Sequence, residues 1–282
     1  MNGQPDDHAG QRLEMDDYEK RQFEGIETWK KERPNVLGGM LVPVTLPLSW
    51  LVRKTIPRAV TKGVIDGLDK LAKWTTDTDD ILHKGQVDEI CQLRKKNLKL
   101  SDDLAAGVVK WAIGMAVVEG AATGAGGIIA LSVDVPIIIT LALRTVHKIG
   151  LCYGYESRTE NDRLFMLGLV SASVAPSYSD KMGTLATLKG IELAIARQTM
   201  ATLAEKAVAE EMGAVGTATA IKSLSSRLGG DLARRKILQA IPVAGAAVGG
   251  SVNGWLMKNV GRTAQRSFQR RWIVDKYGLT DI

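Results

Sequence analysis

The feature that most restricts this chain is the length of its charge-poor stretches. Residues 111–131 hold eight large apolar side chains, six alanines, five glycines, one threonine and a single charge, Glu119. Residues 128–143 (IIALSVDVPIIITLAL) add ten large apolar side chains around one charge, Asp134. Ile237–Met257 runs 21 residues with no charge at all. Such segments far exceed a typical strand of ~5–6 residues. Strand-like alternation is scarce, and the β-branched cluster at 135–140 sits inside helix-length apolar sequence. The reading is all-α, a single multi-helix domain over residues 14–278 with glycine-rich apolar helical hairpins, preceded by a disordered tail at 1–13.

Punctuation along the rest of the chain sets the expected elements. A short amphipathic helix from Leu13 to Lys31 carries Met15, Tyr18, Phe23, Ile26 and Trp29 and stops before Pro34. Residues 38–57, with two glycines and three prolines, read as broken, and a helix follows from Ala59 to Trp74. A polar loop at 75–80 leads to a basic helix over 86–99, and Ser101 or Asp102 can cap the long apolar run. Ser157 and Glu160 have capping-box spacing for a helix over 159–173 that ends by Pro176. A long helix over 180–211 places Leu188, Ile191 and Ile195 on one face, and a last helix runs to about Asp275.

Two segments echo each other: Gly120-Ala-Ala-Thr-Gly124 and Gly245-Ala-Ala-Val-Gly249. Small residues four apart strip a helix face towards its backbone and permit close helix contact. These four glycines are the expected packing sites.

Charge is concentrated late. Residues 222–276 carry eleven bases and two acids, on a chain whose net charge is +6. Such a basic segment suits an anionic partner. Within it Lys258, Arg262, Arg266 and Arg270 recur every four residues, and Leu256, Val260, Ala264, Phe268 and Trp272 do the same two positions away. Two residues turn a helix by ~200°, so the stripes oppose each other. An interfacial helix needs that pattern, and so does a solvated face over a packed one. The 21-residue neutral run is long enough to cross ~31 Å. Basic clusters on both its flanks, however, put a single span at odds with the positive-inside rule. A re-entrant or interfacial segment and a buried core helix both remain compatible. The opening MNGQPDDHAG lacks the basic-then-apolar order of a secretory signal, which places the expected protein on the cytoplasmic side, peripheral or monotopic at the inner membrane face.

Catalytic chemistry finds little support. Gly-Lys steps, HExxH and ExxH are absent, so a P-loop, a zincin and a bundle di-iron site are not expected. Two cysteines 61 positions apart and three histidines leave no expected metal site. Gly249-Gly-Ser251-Val-Asn253 misses a nucleophile elbow by its final residue and has no sheet to hold it. Fourteen aromatics offer little for base stacking, so no nucleic acid and no cofactor are expected. The carboxylates in apolar sequence remain as weak catalytic candidates, because burying them costs energy unless they are paired or protonated. Asp134 precedes Val135-Pro136 and is expected to cap a helix opened by Pro136. Glu119 is expected in a salt bridge to Lys110, Arg144 or a C-terminal arginine, and His147 in a structural role.

The stretch 120–156, GAATGAGGIIALSVDVPIIITLALRTVHKIGLCYGYE, resembles the EcsC protein family in its glycine-rich start, Asp134-x-Pro136, Arg144 and Tyr153-Gly154-Tyr155. Glu156 stands where the family often has Asp. Tyr18, Trp29-Lys30 and residues 242–272 resemble the family's ends. The family takes its name from a protein encoded beside a bacterial ABC exporter. The resemblance implies a bacterial, helical, membrane-associated accessory protein and supplies no catalytic residues. Expected partners are therefore an anionic membrane surface or an envelope protein, met through the apolar glycine-rich helices and through Lys258, Arg262, Arg266, Arg270 and Trp272. The alternative is an enzyme acting on a lipid or envelope substrate with Asp134 and Glu119.

Overall fold

Asp16 begins the first helix by a reciprocal cap. Its carboxylate accepts from the Glu19 backbone N–H at 2.8 Å, and the Glu19 side chain accepts from the Asp16 N–H at 3.1 Å. The helix, α1 (Asp17–Lys31), ends where Glu32 turns extended ahead of Pro34. In this computed structural model residues 14–34, 67, 70, 72, 76–125, 127–175, 177–204 and 245–279 are described. The expected tail at 1–13, the broken segment at 38–57, nearly all of the helix at 59–74 and everything expected between 205 and 244 lie outside them.

The basic helix expected over 86–99 is not continuous. A short helix, α2 (Asp79–Gly85), stops at Gln86 in the left-handed region (φ 49°), and a 3-10 turn occupies Ile90–Lys95. The long apolar helix α3 (Leu98–Ala125) starts earlier than either expected cap. Asn97 accepts from the Leu100 N–H at 2.8 Å, so Ser101 and Asp102 fall inside α3 and are buried. The second apolar helix, α4 (Gly127–Cys152), includes both Asp134 and Pro136. Asp134 therefore lies in the helix interior and caps nothing; its side chain lies outside the described residues. After the turn at 153–159, α5 (Glu160–Ser173) is capped by Thr159 with Asp162, at 3.1 and 3.0 Å, rather than by Ser157 with Glu160. Next come α6 (Tyr178–Ala204) and α7 (Gly245–Tyr277), whose 33 residues span ~50 Å. Among the described residues there is no strand, and the fold is all-α.

Helices α3 and α4 run antiparallel, with Asp102 meeting Tyr153 and Trp111 meeting Arg144. Helix α7 lies antiparallel on α3, and glycine makes that contact possible. A Cβ at Gly250 would sit 3.0 Å from the Val117 carbonyl oxygen, one at Gly254 2.7 Å from a Val117 methyl, and one at Gly261 2.6 and 2.8 Å from both Val109 methyls. Of the expected packing glycines, Gly245 and Gly249 lie in the first turns of α7, and their surroundings, like those of Gly124, are outside the described residues. Gly120 is buried on α3. Phe268 of α7 anchors the core, stacked by Tyr153 and Tyr155 and met edge-on by Phe165.

These glycines should separate by position in a thermal melt. A Cβ at Gly107 or Gly114 would have nothing within 4 Å, so alanine there should stabilise by up to ~1 kcal/mol through helix propensity. Gly254→Ala and Gly261→Ala should instead destabilise by ~1–3 kcal/mol, because valine is nearly fixed at χ1 in a helix and cannot retreat. Equal gains at all four positions would refute the close contact.

Candidate functional site

The Tyr153-Gly154-Tyr155 turn is where the helices are tied together. Gly154 has φ +83°, and a Cβ there would lie 2.9 Å from the Arg94 backbone nitrogen, so only glycine fits. The two tyrosines leave this turn towards different carboxylates. Tyr155 donates to Asp275 at 2.6 Å, with its ring beneath the Arg271 and Arg94 guanidinium groups at 4.2 and 4.9 Å. Tyr153 donates to Asp102, which also accepts from Tyr18 at 2.7 Å and from the Gln269 amide at 2.8 Å. Gln22 links Gln269 and Arg266 over the same point, at 3.3 and 3.0 Å. One carboxylate thus joins α1, α3, the 153–159 turn and α7. Burial pushes the Asp102 carboxyl above its ordinary range, and the three donors pull it part of the way back. Burial and the neighbouring carboxylate also raise both tyrosines, so they stay protonated donors.

Of the expected carboxylates, Glu119 turns towards α7, where the fully buried Asn253 amide donates to it at 2.6 Å. The α3–α4 register carries Asp134 to the same end of that helix pair. His147 is buried on α4. Cys91 is exposed and Cys152 buried, both as free thiols. Among the described residues no cluster of three or more His, Cys, Asp or Glu could hold a metal.

The basic stripe is largely engaged within the fold. Arg262 makes a two-pronged pair with Glu32, the residue just past the end of α1, at 2.6 and 2.7 Å. Arg266 lies along α1 where Gly25 leaves room for it, its guanidinium 3.0–3.2 Å from the position a Cβ would take. Arg270 pairs with the partly buried Glu192 of α6. Trp272 is 2% exposed, beneath the Lys276 ammonium at 4.8 Å, so it is a core residue rather than a surface anchor. Lys258 stands exposed.

Exposed apolar side chains gather elsewhere, on the outer face of α3. Trp111, Met115 and Val118, at i, i+4 and i+7, are 45, 47 and 69% exposed. Register brings Ile137 of α4, also exposed, level with Val118. Within Leu98–Ala122 the most apolar 18-residue window has a mean hydropathy of 1.5, and only 22% of that window is buried. Sequence reasoning passed over this face because glycines and alanines separate its large residues. It likewise took Asp102 for a cap, although a carboxylate inside an apolar run was the signal.

An all-helical chain tied at a Tyr-Gly-Tyr turn, with two long apolar helices, is the class these features define. The EcsC protein family profile matches residues 20–273, and the chain belongs to that family. It is 24% identical over 275 residues to a Bacillus subtilis (strain 168) protein named "Uncharacterized protein YdbA", covering 93% of this chain and 95% of the relative. It is 24% identical over 232 residues to "Protein EcsC" of the same strain, covering 80% and 85%. No solved structure matches it.

Asp102 sets a pH test. A carboxyl raised in the fold contributes stability that is full below the ordinary carboxylate range and is lost as pH rises through its raised value. Asp102→Asn keeps an acceptor for the tyrosines but does not ionise. Its stability relative to the native chain should therefore improve as pH rises from ~4 to ~7, the range above the ordinary Asp value. Urea unfolding of both chains across that range measures it, and a relative stability that falls with pH would mean the three donors outweigh burial.

Proposed function

We propose that the protein is a membrane-associated accessory factor that lies against an anionic bilayer surface, at the cytoplasmic face, without catalysing a reaction of its own. The observation that supports this reading most is the outer face of α3. It offers a row of large apolar side chains headed by a tryptophan, on a helix whose apolar window is mostly unburied. Contiguous exposed apolar surface of this kind marks a contact site. Tryptophan favours the headgroup level, where its ring is buried and its N–H stays wet. Lys110, exposed beside Trp111, adds a charge suited to anionic headgroups, and Arg144 covers the same ring from α4 at 5.1 Å.

The contact is lateral. The other side of α3 holds Asp102 and Glu119 against α7, and a helix tied to polar partners in this way rests at the interface rather than crossing it. Of the basic stripe, Lys258 and Arg262 retain exposed side chains that can add electrostatic attraction; Arg266 and Arg270 serve the fold. In the family context the membrane-bound protein would act beside an envelope transport system, as an interaction partner.

Vesicle co-sedimentation tests the reading. Trp111→Ser combined with Val118→Ser should release the protein from phosphatidylglycerol vesicles while preserving its helical circular dichroism. Lys110→Gln and Lys258→Gln should each weaken binding by about fivefold at low salt, since one surface base is worth ~1 kcal/mol near such a membrane. Sedimentation of the serine double variant at the native level would remove the α3 face from the account. Native protein that stays in the supernatant with anionic vesicles would overturn the membrane reading itself.

A further inference from the structure

Among the described residues, every partly buried arginine but Arg144 is matched to an oxygen. Arg163 pairs with Glu160 at 2.9 Å, and Arg266 donates to Gln22 at 3.0 Å and to Gln269 at 2.8 Å. Arg270 meets Glu192, and Arg271 faces Asp162 at 3.8 Å. Arg144 of α4 has no such partner. Its Nε is closed off from solvent without a hydrogen bond, and its guanidinium meets the Trp111 ring, 5.1 Å from the ring centre. A ring contact does not by itself leave an arginine unmatched. Arg94 also covers an aromatic ring, that of Tyr155, yet its Nε donates to the Gly154 carbonyl at 2.8 Å. The salt bridge expected between Arg144 and Glu119 does not form, since Glu119 lies eight residues, ~12 Å, along α3 from Trp111. On α4 the nearest acid, Asp134, is ten residues or ~15 Å away. Asp80 of α2 is taken by Lys148, one turn further along α4, at 2.9 Å.

A guanidinium carries five N–H donors in one plane and stays charged at any physiological pH. The face of an indole holds such a group in place but accepts none of its in-plane N–H groups. With Nε closed in, the two terminal nitrogens remain for an acceptor from outside, side by side, as a bidentate grip on phosphate requires. The surroundings favour one carrier of that phosphate. Lys110, one position before Trp111, is exposed and in no ion pair among the described residues. A Cβ at Gly107 or Gly114, one turn to either side of Trp111, would meet nothing within 4 Å, so the approach past the ring is open. Beyond Trp111 the face turns apolar, with Met115 and Val118 on α3 and Ile137 on α4. Cations at one end and apolar side chains at the other follow the order of a phospholipid, head to chains. At the depth where tryptophan settles, the anion that a bilayer presents is its headgroup phosphate.

We infer that Arg144, braced on Trp111, binds the phosphate of one phospholipid headgroup through its two terminal nitrogens, with Lys110 attracting the same headgroup. This rests on the membrane reading of the α3 face and says what that face recognises: a phosphate at one fixed point rather than negative charge in general.

Calorimetric titration of the full chain with dihexanoylphosphatidylglycerol below its micelle concentration tests this. One lipid should bind per chain. Glycerol 3-phosphate, which has the phosphate without the chains, should bind about tenfold more weakly, because it buries no apolar surface. Arg144→Lys keeps the charge but loses the two-pronged grip, so it should weaken lipid binding about fivefold, and Arg144→Gln should abolish it. Arg197→Lys, at an exposed position on α6, should bind as the native chain does and controls for the exchange itself. Helical circular dichroism should be native in all three variants. Native affinity in Arg144→Lys, equal binding of glycerol 3-phosphate, or no binding of either ligand would overturn the inference. Vesicle sedimentation separates this outcome from the broader reading. If the native and Arg144→Lys chains sediment equally with phosphatidylglycerol vesicles, the α3 face stands as a membrane contact and the phosphate site falls. If the native chain binds the short-chain lipid through Arg144 yet leaves vesicles in solution, the site stands and the membrane contact falls.

Discussion

Close approach of α3 and α7 is the constraint from which the rest of the architecture follows. At Gly250, Gly254 and Gly261 no side chain separates α7 from Val117 and Val109, so the two axes come nearer than Leu- or Phe-lined helices would allow. That proximity lets short polar groups bridge the pair, Asn253 to Glu119 near one end and Gln269 to Asp102 near the other. Both bridges join groups that would be costly if buried alone. Glycine inside a helix costs ~1 kcal/mol in propensity relative to alanine, and the packing it permits offsets that cost.

With α7 held in this way, three of its arginines find partners along α1 and α6. Arg262 reaches Glu32, Arg266 lies over Gly25, and Arg270 meets Glu192. Each partner belongs to a helix or its C-cap that would otherwise present an acid or a bare backbone to the same surface. Helix α1 is further held by Lys181, which donates to the Trp29 and Glu32 carbonyls at its C-terminal end while covering the Trp29 ring at 4.6 Å. A cation at a helix C-terminus also favours the dipole there. The N-terminal helix is thus attached chiefly by charge-assisted contacts, with Ile26 and Trp29 as its buried apolar anchors.

The all-helical fold was legible in the sequence because apolar period and run length are local properties. The inward face of α6 was also legible: Leu188, Ile191 and Ile195 are buried as their spacing implied, whereas the stripe of Val260, Ala264 and Phe268 fitted a membrane face and a core face equally and is buried. Partner choice was not. A basic stripe reads identically whether it meets headgroups or Glu32, Gln22 and Glu192, since those residues lie 78 to 244 positions away from their arginines. Caps were misplaced by a few residues for a related reason. Several Ser, Thr, Asn and Asp side chains near each boundary can accept the same N–H groups, and Asn97 and Thr159 prevailed because the tertiary position of the next helix suits them. Asp134 failed as a cap because α4 continues through Pro136, which removes one backbone hydrogen bond without ending the helix.

Helix α3 therefore has two chemically opposed sides, and this limits how it can meet a bilayer. Its inner side is fixed by Asp102, whose three donors come from α1, the Tyr-Gly-Tyr turn and α7. Insertion across a membrane would pull that carboxylate away from all three and leave it in hydrocarbon, where an unsatisfied charge costs several kcal/mol. Remaining docked costs nothing further, and the outer row of Trp111, Met115 and Val118 is then presented along about two turns of helix. The polar ties that make α3 a core helix on one side are the same ties that keep its apolar other side at the surface, available to whatever apolar boundary the protein meets.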